Sequence, residues 1–327
     1  MRGKELRERL WRRYREIREP WMRWVLRVQD EALSALRDFL RVEGFVEILA
    51  PIVGPVTDPG IRGAKQFSID YYGHRFKVMS SMILYKQMAV SSLDKVFALS
   101  PNLRLEPLEA AYTGRHLAEF RQLDLEVAEA SYLDLMELGE RLLIYVLRRI
   151  RRECGEELEN LGRELRIPSK PFRRLTHGEA VELLRGEGFD LKPGEEIPWE
   201  AEEHISAMFQ EPLWIMDYPI TARGFYDRED PERPGILRDF DLLYPEGYGE
   251  AISGGEREYQ YERVLARMKA RGDNPEEYGW YLEMLREGVK PSAGFGIGVE
   301  RLTRYLCGLK YIWDAVPFPK VPGIPSP

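Results

Sequence analysis

Cysteines and long apolar runs are scarce in this sequence, and each scarcity excludes a class of protein. The 327 residues include two cysteines, Cys154 and Cys307, too few for a disulfide framework or a four-cysteine zinc site. No apolar run reaches the roughly 18 residues needed to cross a membrane. The N-terminus is charged from Arg2 onward and lacks the apolar segment of a secretory signal. We therefore expect a soluble, cytoplasmic globular protein without membrane contacts.

Charge is distributed unevenly along the chain. The formal net charge is -7, from 48 basic and 55 acidic residues. Residues 1–28 contain ten arginines and lysines and four glutamates, a net charge of +6, which leaves -13 for the remainder. A protein that mainly holds a nucleic-acid backbone is usually basic, so the acidic body argues against long nucleic-acid contacts. The basic segment is expected to be a helix docked on this chain or on a twin subunit, with an RNA-facing arm as the alternative.

Apolar periodicity predicts helices and short strands that do not alternate as βαβ units. Helices are predicted near residues 2–19, 22–42, 82–91 and 132–152, and strands near 45–49, 66–70, 75–78, 95–99 and 122–128. This order favours an α+β fold, a mostly antiparallel sheet flanked by helices. We divide the chain into a basic helical extension, residues 1–28, and a larger domain, residues 29–327, with an irregular insertion at 155–235.

A first polar cluster, residues 104–126, suits a phosphate-bearing ligand. It ends in an alternating pattern, Gln122, Asp124 and Glu126, whose side chains would share one face of a strand. Polar side chains on a buried sheet face are costly unless they bind something. The flanking Arg104 and Arg115 indicate a polyphosphate, because a guanidinium group matches phosphate oxygens in pairs.

Two clusters that contain glycine lie further along the chain. In residues 249–257, Glu250 precedes Ser253 by three positions, and a carboxylate with a nearby hydroxyl suits a hard divalent cation. Residues 294–302 form a Gly-x-Gly-x-Gly run that opens an apolar helix. We exclude a dinucleotide site for this run, because no acidic residue follows about 20 positions later within a βαβ unit.

Taken together, these clusters resemble the three signature motifs of class II aminoacyl-tRNA synthetases. Segment 44–51, Gly-Phe-Val-Glu-Ile-Leu-Ala-Pro, is similar to motif 1, which builds the dimer interface in that family. Segments 104–126 and 294–302 are similar to motifs 2 and 3. Features of the aspartyl/asparaginyl branch are Arg115-His116, Glu119-Phe120, Asp124-Leu125-Glu126 and the ending Pro317-Phe318-Pro319. The resemblance implies a class II synthetase fold, a homodimer, and ATP and Mg²⁺ as cofactors.

The resemblance also implies roles in ATP binding. Arg104 and Arg301 would be the catalytic residues, with Arg104 holding the α-phosphate and stabilising the charge that grows there. Phe120 and Arg301 would enclose the adenine ring. The remaining implied ATP ligands are Glu106, Arg115, His116, Glu250 and Gly298. Glu250 and Ser253, helped by Asp241, would bind Mg²⁺.

For the amino acid, the resemblance favours aspartate. Segment 81–87, Ser-Met-Ile-Leu-Tyr-Lys-Gln, resembles the substrate-reading segment of aspartyl-tRNA synthetases, including its lysine at Lys86. Arg257 matches the carboxylate-binding arginine of that family. A buried cation left unpaired beside an amide would cost several kcal/mol, so two cations favour a carboxylate. The implied aspartate ligands are Ser81, Lys86, Gln122, Asp124, Gly254 and Arg257.

Two departures from the family pattern change the expected reaction. Ile83 stands where the family has a glutamine, and Arg62 where it has a flexible-loop glutamate. Both missing groups help to hold the α-amino group of the substrate in the synthetases. We therefore expect aspartate to bind in reverse, with its β-carboxylate facing ATP, so that activation gives a β-aspartyl adenylate.

The lack of one segment determines which acceptor we expect for the activated amino acid. The anticodon-binding barrel that precedes motif 1 in the synthetases does not precede it here, so we do not expect tRNA as a partner. This arrangement resembles the archaeal asparagine synthetase related to asparaginyl-tRNA synthetase, which implies conversion of ATP, aspartate and ammonia to asparagine, AMP and diphosphate. The alternatives are a truncated aspartyl- or asparaginyl-tRNA synthetase, a non-catalytic synthetase-like binding protein, and a ligase that loads amino acids onto a protein or a modified tRNA base.

Overall fold

The computed structural model describes residues 3–59, 64–192 and 194–327. Within these ranges the helices are α1 (Gly3–Trp11), α2 (Arg13–Glu16), α3 (Pro20–Val42), α4 (Ile83–Ala89), α5 (Tyr132–Glu153), α6 (Gly155–Asn160), α7 (His177–Gly186), α8 (Trp199–Ala207), α9 (Tyr261–Arg271), α10 (Gly279–Glu287) and α11 (Val299–Leu306). The strands are β1 (Val46–Glu47), β2 (Val53–Gly54), β3 (Ser68–Tyr71), β4 (His74–Val78), β5 (Lys95–Leu103), β6 (Glu119–Ala128), β7 (Arg173–Thr176), β8 (Leu213–Met216), β9 (Asp239–Tyr244), β10 (Gly249–Glu256) and β11 (Ser292–Gly298). No described helix is long and apolar enough to cross a membrane.

An eight-stranded sheet forms the centre of the fold. Its strand order is β1-β5-β6-β11-β10-β9-β8-β7, and its inner pairs are antiparallel while the two edge pairs, β1·β5 and β7·β8, are parallel. Strands β2, β4 and β3 form a second, smaller sheet. The predicted α+β class is confirmed. The order also places β6, β11 and β10, which carry the three polar and glycine-containing clusters, side by side.

The two faces of the central sheet differ in character. On one face Leu123, Leu125 and Phe295 are buried in a core that also contains side chains from α3, α5 and α11. On the other face Gln122 and Asp124 line a cavity. Successive side chains of a strand point to opposite faces, so the alternation along β6 separates core from site as its sequence predicts.

The N-terminal helices pack against the body of the protein. Leu6 and Leu10 are buried in an apolar cluster that includes Trp313. The Arg13 guanidinium, 1% exposed, donates to the carbonyl oxygens of Trp313 at 2.8 Å and Val316 at 2.7 Å. The segment therefore docks on its own chain through this face. The predicted boundary at residue 28 lies inside α3, a single helix that begins with proline in its first turn, where proline is tolerated.

Residues 155–235 contain regular elements where the sequence predicts an irregular insertion. Helices α6, α7 and α8 lie there, and β8 pairs with β9, so the segment extends the central sheet. Helix α7 starts with the predicted capping box, in which the Glu179 N–H donates to the Thr176 hydroxyl at 3.2 Å and Glu179 accepts from the Thr176 N–H at 2.7 Å. Strands of four residues are too short to show a clear two-residue period among many charges.

Candidate active site

A cavity of about 640 Å³ lies over the polar face of the central sheet, a volume that suits a nucleotide-sized ligand. Residues of β6, β10 and β11 form its floor. Its walls come from the start of α4, from residues 104–116 and from residues 196–200 before α8. The predicted site residues that line it are Ser81, Lys86, Arg104, Glu106, His116, Gln122, Asp124, Glu250, Ser253, Gly254, Arg257 and Arg301.

The glycine run of β11 leaves room for the polar side chains of β6. The paired residues across the two strands are Gly294 with Glu126, Gly296 with Asp124, and Gly298 with Gln122. A Cβ atom at Gly296 would lie 3.1 Å from Gln122 Nε2 and 3.3 Å from Asp124 Oδ1. At Gly294 a Cβ would collide with the Glu126 carboxylate. These glycines therefore keep the floor of the cavity open.

Lys86 and Asp124 form a buried ion pair at the floor. Lys86 Nζ lies 3.0 Å from Asp124 Oδ1 and 3.8 Å from a Glu126 oxygen, and it donates to the Phe295 carbonyl at 3.1 Å. The second oxygen of Asp124 accepts a hydrogen bond from Ser100 Oγ at 2.5 Å. The ammonium group predicted to read the amino acid is therefore fixed by residues on two strands.

Arg257 is the second buried cation. Its Nε lies 3.0 Å from Glu126, its Nη1 lies 3.4 Å from Asp227, and its Nη2 donates to the Gly294 carbonyl at 2.9 Å. Burial disfavours its charge, but Glu126 and Asp227 outweigh that effect and raise the pKa of Arg257. Both pocket cations thus already have carboxylate partners. The sequence argument that an amide would leave them unpaired does not hold in this pocket.

At the other end of the cavity lie the residues predicted to bind ATP. The Arg104 guanidinium is 5.0 Å from the centroid of the Phe120 ring, and its Nε donates to the Ser80 carbonyl at 3.1 Å. Arg301 and Glu250 form an ion pair of 2.7 Å. A smaller adjoining cavity shares six lining residues with the main cavity, and its lining also includes Arg115, Phe120 and Gly298. The structure therefore brings motifs 2 and 3 together.

Arg115 lies outside the lining of the main cavity. It is buried, its Nη1 donates to the Trp199 carbonyl at 2.8 Å, and its Nη2 lies 3.6 Å from Glu202. Burial lowers the pKa of Arg115. Arg115, implied as an ATP ligand, lines the smaller cavity and also holds the start of α8. His116, next to it, lines both cavities and lies 2.8 Å from Thr113 Oγ1.

The residues predicted to bind Mg²⁺ lie on adjacent strands. Glu250 and Ser253 line the cavity, and Asp241 of β9 is directly opposite Ser253. Asp241 Oδ2 is 2.6 Å from Arg223, while Oδ1 has no hydrogen-bond partner among the described residues. Carboxylate and hydroxyl oxygens are the ligands that Mg²⁺ prefers, so this donor set fits the ion.

A second group of carboxylates lies close by. Oxygens of Glu196, Glu202 and Asp241 are all within 4.8 Å of one another. Arg223 lies 3.6 Å from Glu196, and Arg115 lies 3.6 Å from Glu202, so we interpret the group as an ion-pair network. Burial raises the pKa of the neighbouring Asp239 to about 8. Carboxylates outnumber cations in the cavity lining, which favours a nucleotide that enters with a divalent cation.

Several residues that line the cavity belong to none of the motifs found in the sequence. They are Asp58, Trp199, Arg223, Tyr226 and Asp227. Arg223, Tyr226 and Asp227 lie in the segment between β8 and β9, whereas Asp58 and Trp199 are far away in the sequence, and no spacing rule connects the three places. Ile83, which replaces the family's glutamine, does line the cavity, whereas Arg62 lies outside the described residues.

Comparisons with known proteins decide the family. The family model for tRNA synthetases class II (D, K and N) matches residues 5–322. The chain belongs to this family. The asparagine–tRNA ligase of Pyrococcus abyssi is 34% identical over 314 residues, which cover 95% of this chain and 71% of that protein. The aspartate–tRNA(Asp/Asn) ligase of Sulfurisphaera tokodaii is also 34% identical, with the same coverage.

A solved structure agrees with this assignment. The asparaginyl-tRNA synthetase from Pyrococcus horikoshii, complexed with asparaginyl-adenylate, is 32% identical, with a TM-score of 0.90 over 98% of this chain and 73% of that chain. The class II synthetase fold is thereby confirmed, and the chain is an ATP-dependent ligase of the tRNA synthetase family. Leu49 and Ile52, which lie on either side of Pro51 in motif 1, are exposed. The homodimer that motif 1 implies stays a prediction.

The prediction of an ammonia-dependent asparagine synthetase is wrong. The similar proteins are named for the ligation of asparagine or aspartate to tRNA, and their names include the tRNA that we did not expect as a partner. The error came from giving the two departures, at Ile83 and Arg62, and the segment before motif 1 more weight than the catalytic motifs. The catalytic motifs, which determine the chemistry, are those of a tRNA synthetase. The β-aspartyl adenylate that belonged to this prediction falls with it.

Proposed function

We propose that the protein activates aspartate as an adenylate on its α-carboxylate and transfers the aspartyl group to tRNA. One observation carries this proposal: a single cavity holds Lys86 and Arg257 at one end, and Arg104 and Arg301 at the other. Lys86 and Arg257 match the lysine and arginine of the aspartyl branch, and we propose that they donate to the side-chain carboxylate of aspartate although Asp124 and Glu126 already balance their charge. The α-carboxylate would then face Arg104 and the nucleotide.

Two existing contacts would open when ATP binds. The Phe120 ring now packs against Arg104, and Arg301 is paired with Glu250. Adenine stacked on the Phe120 ring would take the place of Arg104, and Mg²⁺ would compete with Arg301 for the Glu250 carboxylate. Glu250, Ser253 and Asp241 would hold Mg²⁺, which supplies charge neutralisation at the phosphates.

The chain's own residues would contribute positioning and charge stabilisation. A carboxylate oxygen of aspartate attacks the α-phosphorus of ATP, and diphosphate leaves. Arg104 would stabilise the negative charge that grows on the α-phosphate oxygens. A terminal ribose hydroxyl of tRNA then attacks the activated carbonyl carbon and AMP leaves. Lys86 and Arg257 would keep the substrate fixed through both steps.

Asparagine is the second candidate for the amino acid. Asp124 and Glu126 already balance the pocket cations, so an amide would not face an unpaired charge. The Pyrococcus horikoshii structure is named for its asparaginyl-adenylate.

The exchange of labelled diphosphate into ATP separates the two candidates. The assay is run with aspartate and with asparagine, and transfer of each labelled amino acid to bulk tRNA is measured in parallel. We expect exchange and transfer with aspartate to exceed those with asparagine. Preference for asparagine in both assays would replace the substrate but keep the reaction, whereas exchange with neither amino acid would refute the proposed function.

A further inference from the structure

The first two helices carry an exposed surface that is basic and aromatic. Its residues, called here the basic N-terminal surface, are Lys4, Arg7, Trp11, Arg12, Tyr14, Arg15 and Arg18. Lys4, Arg7 and Trp11 follow the three- and four-residue spacing of one face of α1, and the other members lie in α2 or in the turns beside it. Trp11 is 61% exposed and Tyr14 is 52% exposed, so two large rings lie in solvent among the arginines.

Charges on the opposite, docked face of these helices are balanced. Arg9 lies 2.6 Å from both Glu16 and Asp314, and Arg13 is paired with the same two carboxylates. By contrast, none of the five cations of the basic N-terminal surface has an ion-pair partner within residues 3–59, 64–192 and 194–327. Glu5 and Glu8 are exposed on the same helix, which still leaves the surface with a positive charge.

This surface borders the wall of the catalytic cavity. Leu6 and Leu10 of α1 pack in one cluster with Ala111 and Leu117, which belong to the motif 2 segment. Gly3 approaches the Tyr112 ring so closely that a Cβ would lie 2.8 Å from its hydroxyl oxygen. Other residues of this segment line the cavity: Glu109, Ala110, Thr113 and His116. The segment thus has α1 on one side and the cavity on the other.

The positive surface continues toward α3. A second cavity, of about 310 Å³, is lined by Arg18, Arg23, Trp24 and Arg27 together with Glu156 and Glu157. Only Arg27 of these arginines has an ion-pair partner in the described structure, Glu157 at 3.2 Å. Arg18 belongs both to the basic N-terminal surface and to the lining of this cavity, so the two are contiguous.

We infer that the basic N-terminal surface binds the phosphate backbone of the tRNA whose acceptor end reaches the cavity. The inference rests on the proposed function. Exposed arginines neutralise phosphates and release their counterions, and exposed aromatic rings stack on unpaired bases. The rest of the chain carries a formal net charge of -13, so this concentration of positive charge at the N-terminus favours a polyanion here over the rest of the chain on average.

The test compares two triple variants of the full chain. In the first, Arg7→Gln, Arg12→Gln and Arg15→Gln remove three charges from the surface. In the matched control, Arg148→Gln, Arg151→Gln and Arg152→Gln remove three exposed charges from α5, which contributes no lining residue to the cavity. The readouts are KM for bulk tRNA in aminoacylation, its dependence on salt, amino-acid-dependent diphosphate exchange, and the molecular mass in solution.

We expect the surface variant to raise KM for tRNA about tenfold and to lower the slope of log KM against log salt by about 2. Diphosphate exchange and mass should be unchanged, and the control should behave like the wild type. Equal KM values and slopes for both variants would overturn the inference. A surface variant that changes mass but not KM would also overturn it, because the surface would then join two copies of this chain.

Failure of the proposed function would be visible separately. In that case the wild type would not charge tRNA, and direct binding of bulk tRNA, measured by fluorescence anisotropy, decides the inference instead. Weaker binding by the surface variant alone would support it, and equal binding by wild type and variant would refute it.

Discussion

Lys86 Nζ lies 3.0 Å from Asp124 Oδ1 on the floor of the cavity, and each side chain is 3% exposed. An amino acid that enters therefore meets a cation whose charge is already balanced. The pair can still select a substrate, because its fixed donors and acceptors determine which groups find partners. Breaking one member leaves the other buried without a counter-charge, which is costly.

The ion pair predicts a strong effect of removing the lysine. Lys86→Met should raise KM for aspartate in diphosphate exchange about tenfold or more and leave KM for ATP unchanged. The unfolding free energy should fall by about 3–5 kcal/mol, because Asp124 loses its partner. Adding Asp124→Asn should recover part of that stability, which urea unfolding of both single variants and the double variant measures.

Lys95→Met is the matched control for this series. Lys95 is half-buried on β5 and donates to a backbone carbonyl outside the cavity, so its loss should leave KM for aspartate unchanged. If Lys86→Met also leaves that KM unchanged, Lys86 does not contact the amino acid.

Ser100 predicts a selective effect on the amino acid. Its hydroxyl donates to the Asp124 oxygen that does not face Lys86. A hydrogen bond to a charged group contributes about 1.5–3 kcal/mol, so Ser100→Ala should raise KM for aspartate roughly tenfold. KM for ATP should not change, and Ser100→Thr, which keeps a hydroxyl, should restore most of the affinity. Equal increases in both KM values would indicate a general disturbance of the sheet rather than positioning of Asp124.

Arg13 and Arg12 are adjacent arginines whose removal should change stability by very different amounts. Arg13 is buried and donates to two backbone carbonyl oxygens, whereas Arg12 is exposed. Arg13→Met should lower the unfolding free energy by about 3–5 kcal/mol, because the carbonyls and Asp314 lose their donor. Arg12→Met should change it by less than about 0.5 kcal/mol. Similar values for the two variants, measured by urea unfolding, would show that α2 is not docked.

Glu300 predicts a pH-dependent difference in stability. Burial raises the pKa of Glu300 to about 7 from 4.5, although both carboxylate oxygens accept from the Arg121 N–H at 3.0 Å. The folded state then binds more protons than the unfolded state between these pH values, so stability is lost as the pH rises through about 7.

Glu300→Gln removes this titration but keeps an oxygen for the Arg121 N–H. From pH 5 to pH 8 the wild type should lose up to about 3 kcal/mol relative to the variant, as measured by urea unfolding. Glu283→Gln, on the exposed side of α10, controls for loss of a carboxylate. A constant difference between Glu300→Gln and the wild type across this range would contradict a raised pKa.

The fold and much of the site follow from patterns along the chain. The alternation from Gln122 to Glu126 predicts a strand with one polar and one apolar face, and the structure confirms it. The face of the sheet on which each β6 side chain lies could therefore be predicted from the sequence. The glycine run of β11 lies opposite this strand and leaves room for its polar side chains, a role that became visible only in the strand pairing.

Pairings between distant residues were not accessible in the same way. Arg115 was expected at the phosphates, but its partner Trp199 lies 84 residues away in a segment without a recognisable pattern. Asp241 was expected to help bind Mg²⁺, and Arg223 occupies one of its oxygens. A sequence shows which groups are present, whereas the competition among partners for one side chain is decided by packing.

Transfer of labelled aspartate to tRNA tests the central claim most directly. The protein is incubated with ATP, Mg²⁺, labelled aspartate and bulk tRNA, and acid-precipitable label is followed over time. A parallel reaction contains periodate-oxidised tRNA, whose terminal ribose can no longer accept an amino acid. We predict that label accumulates with intact tRNA and not with oxidised tRNA. Diphosphate exchange without any label on intact tRNA, from aspartate or from asparagine, would contradict the account.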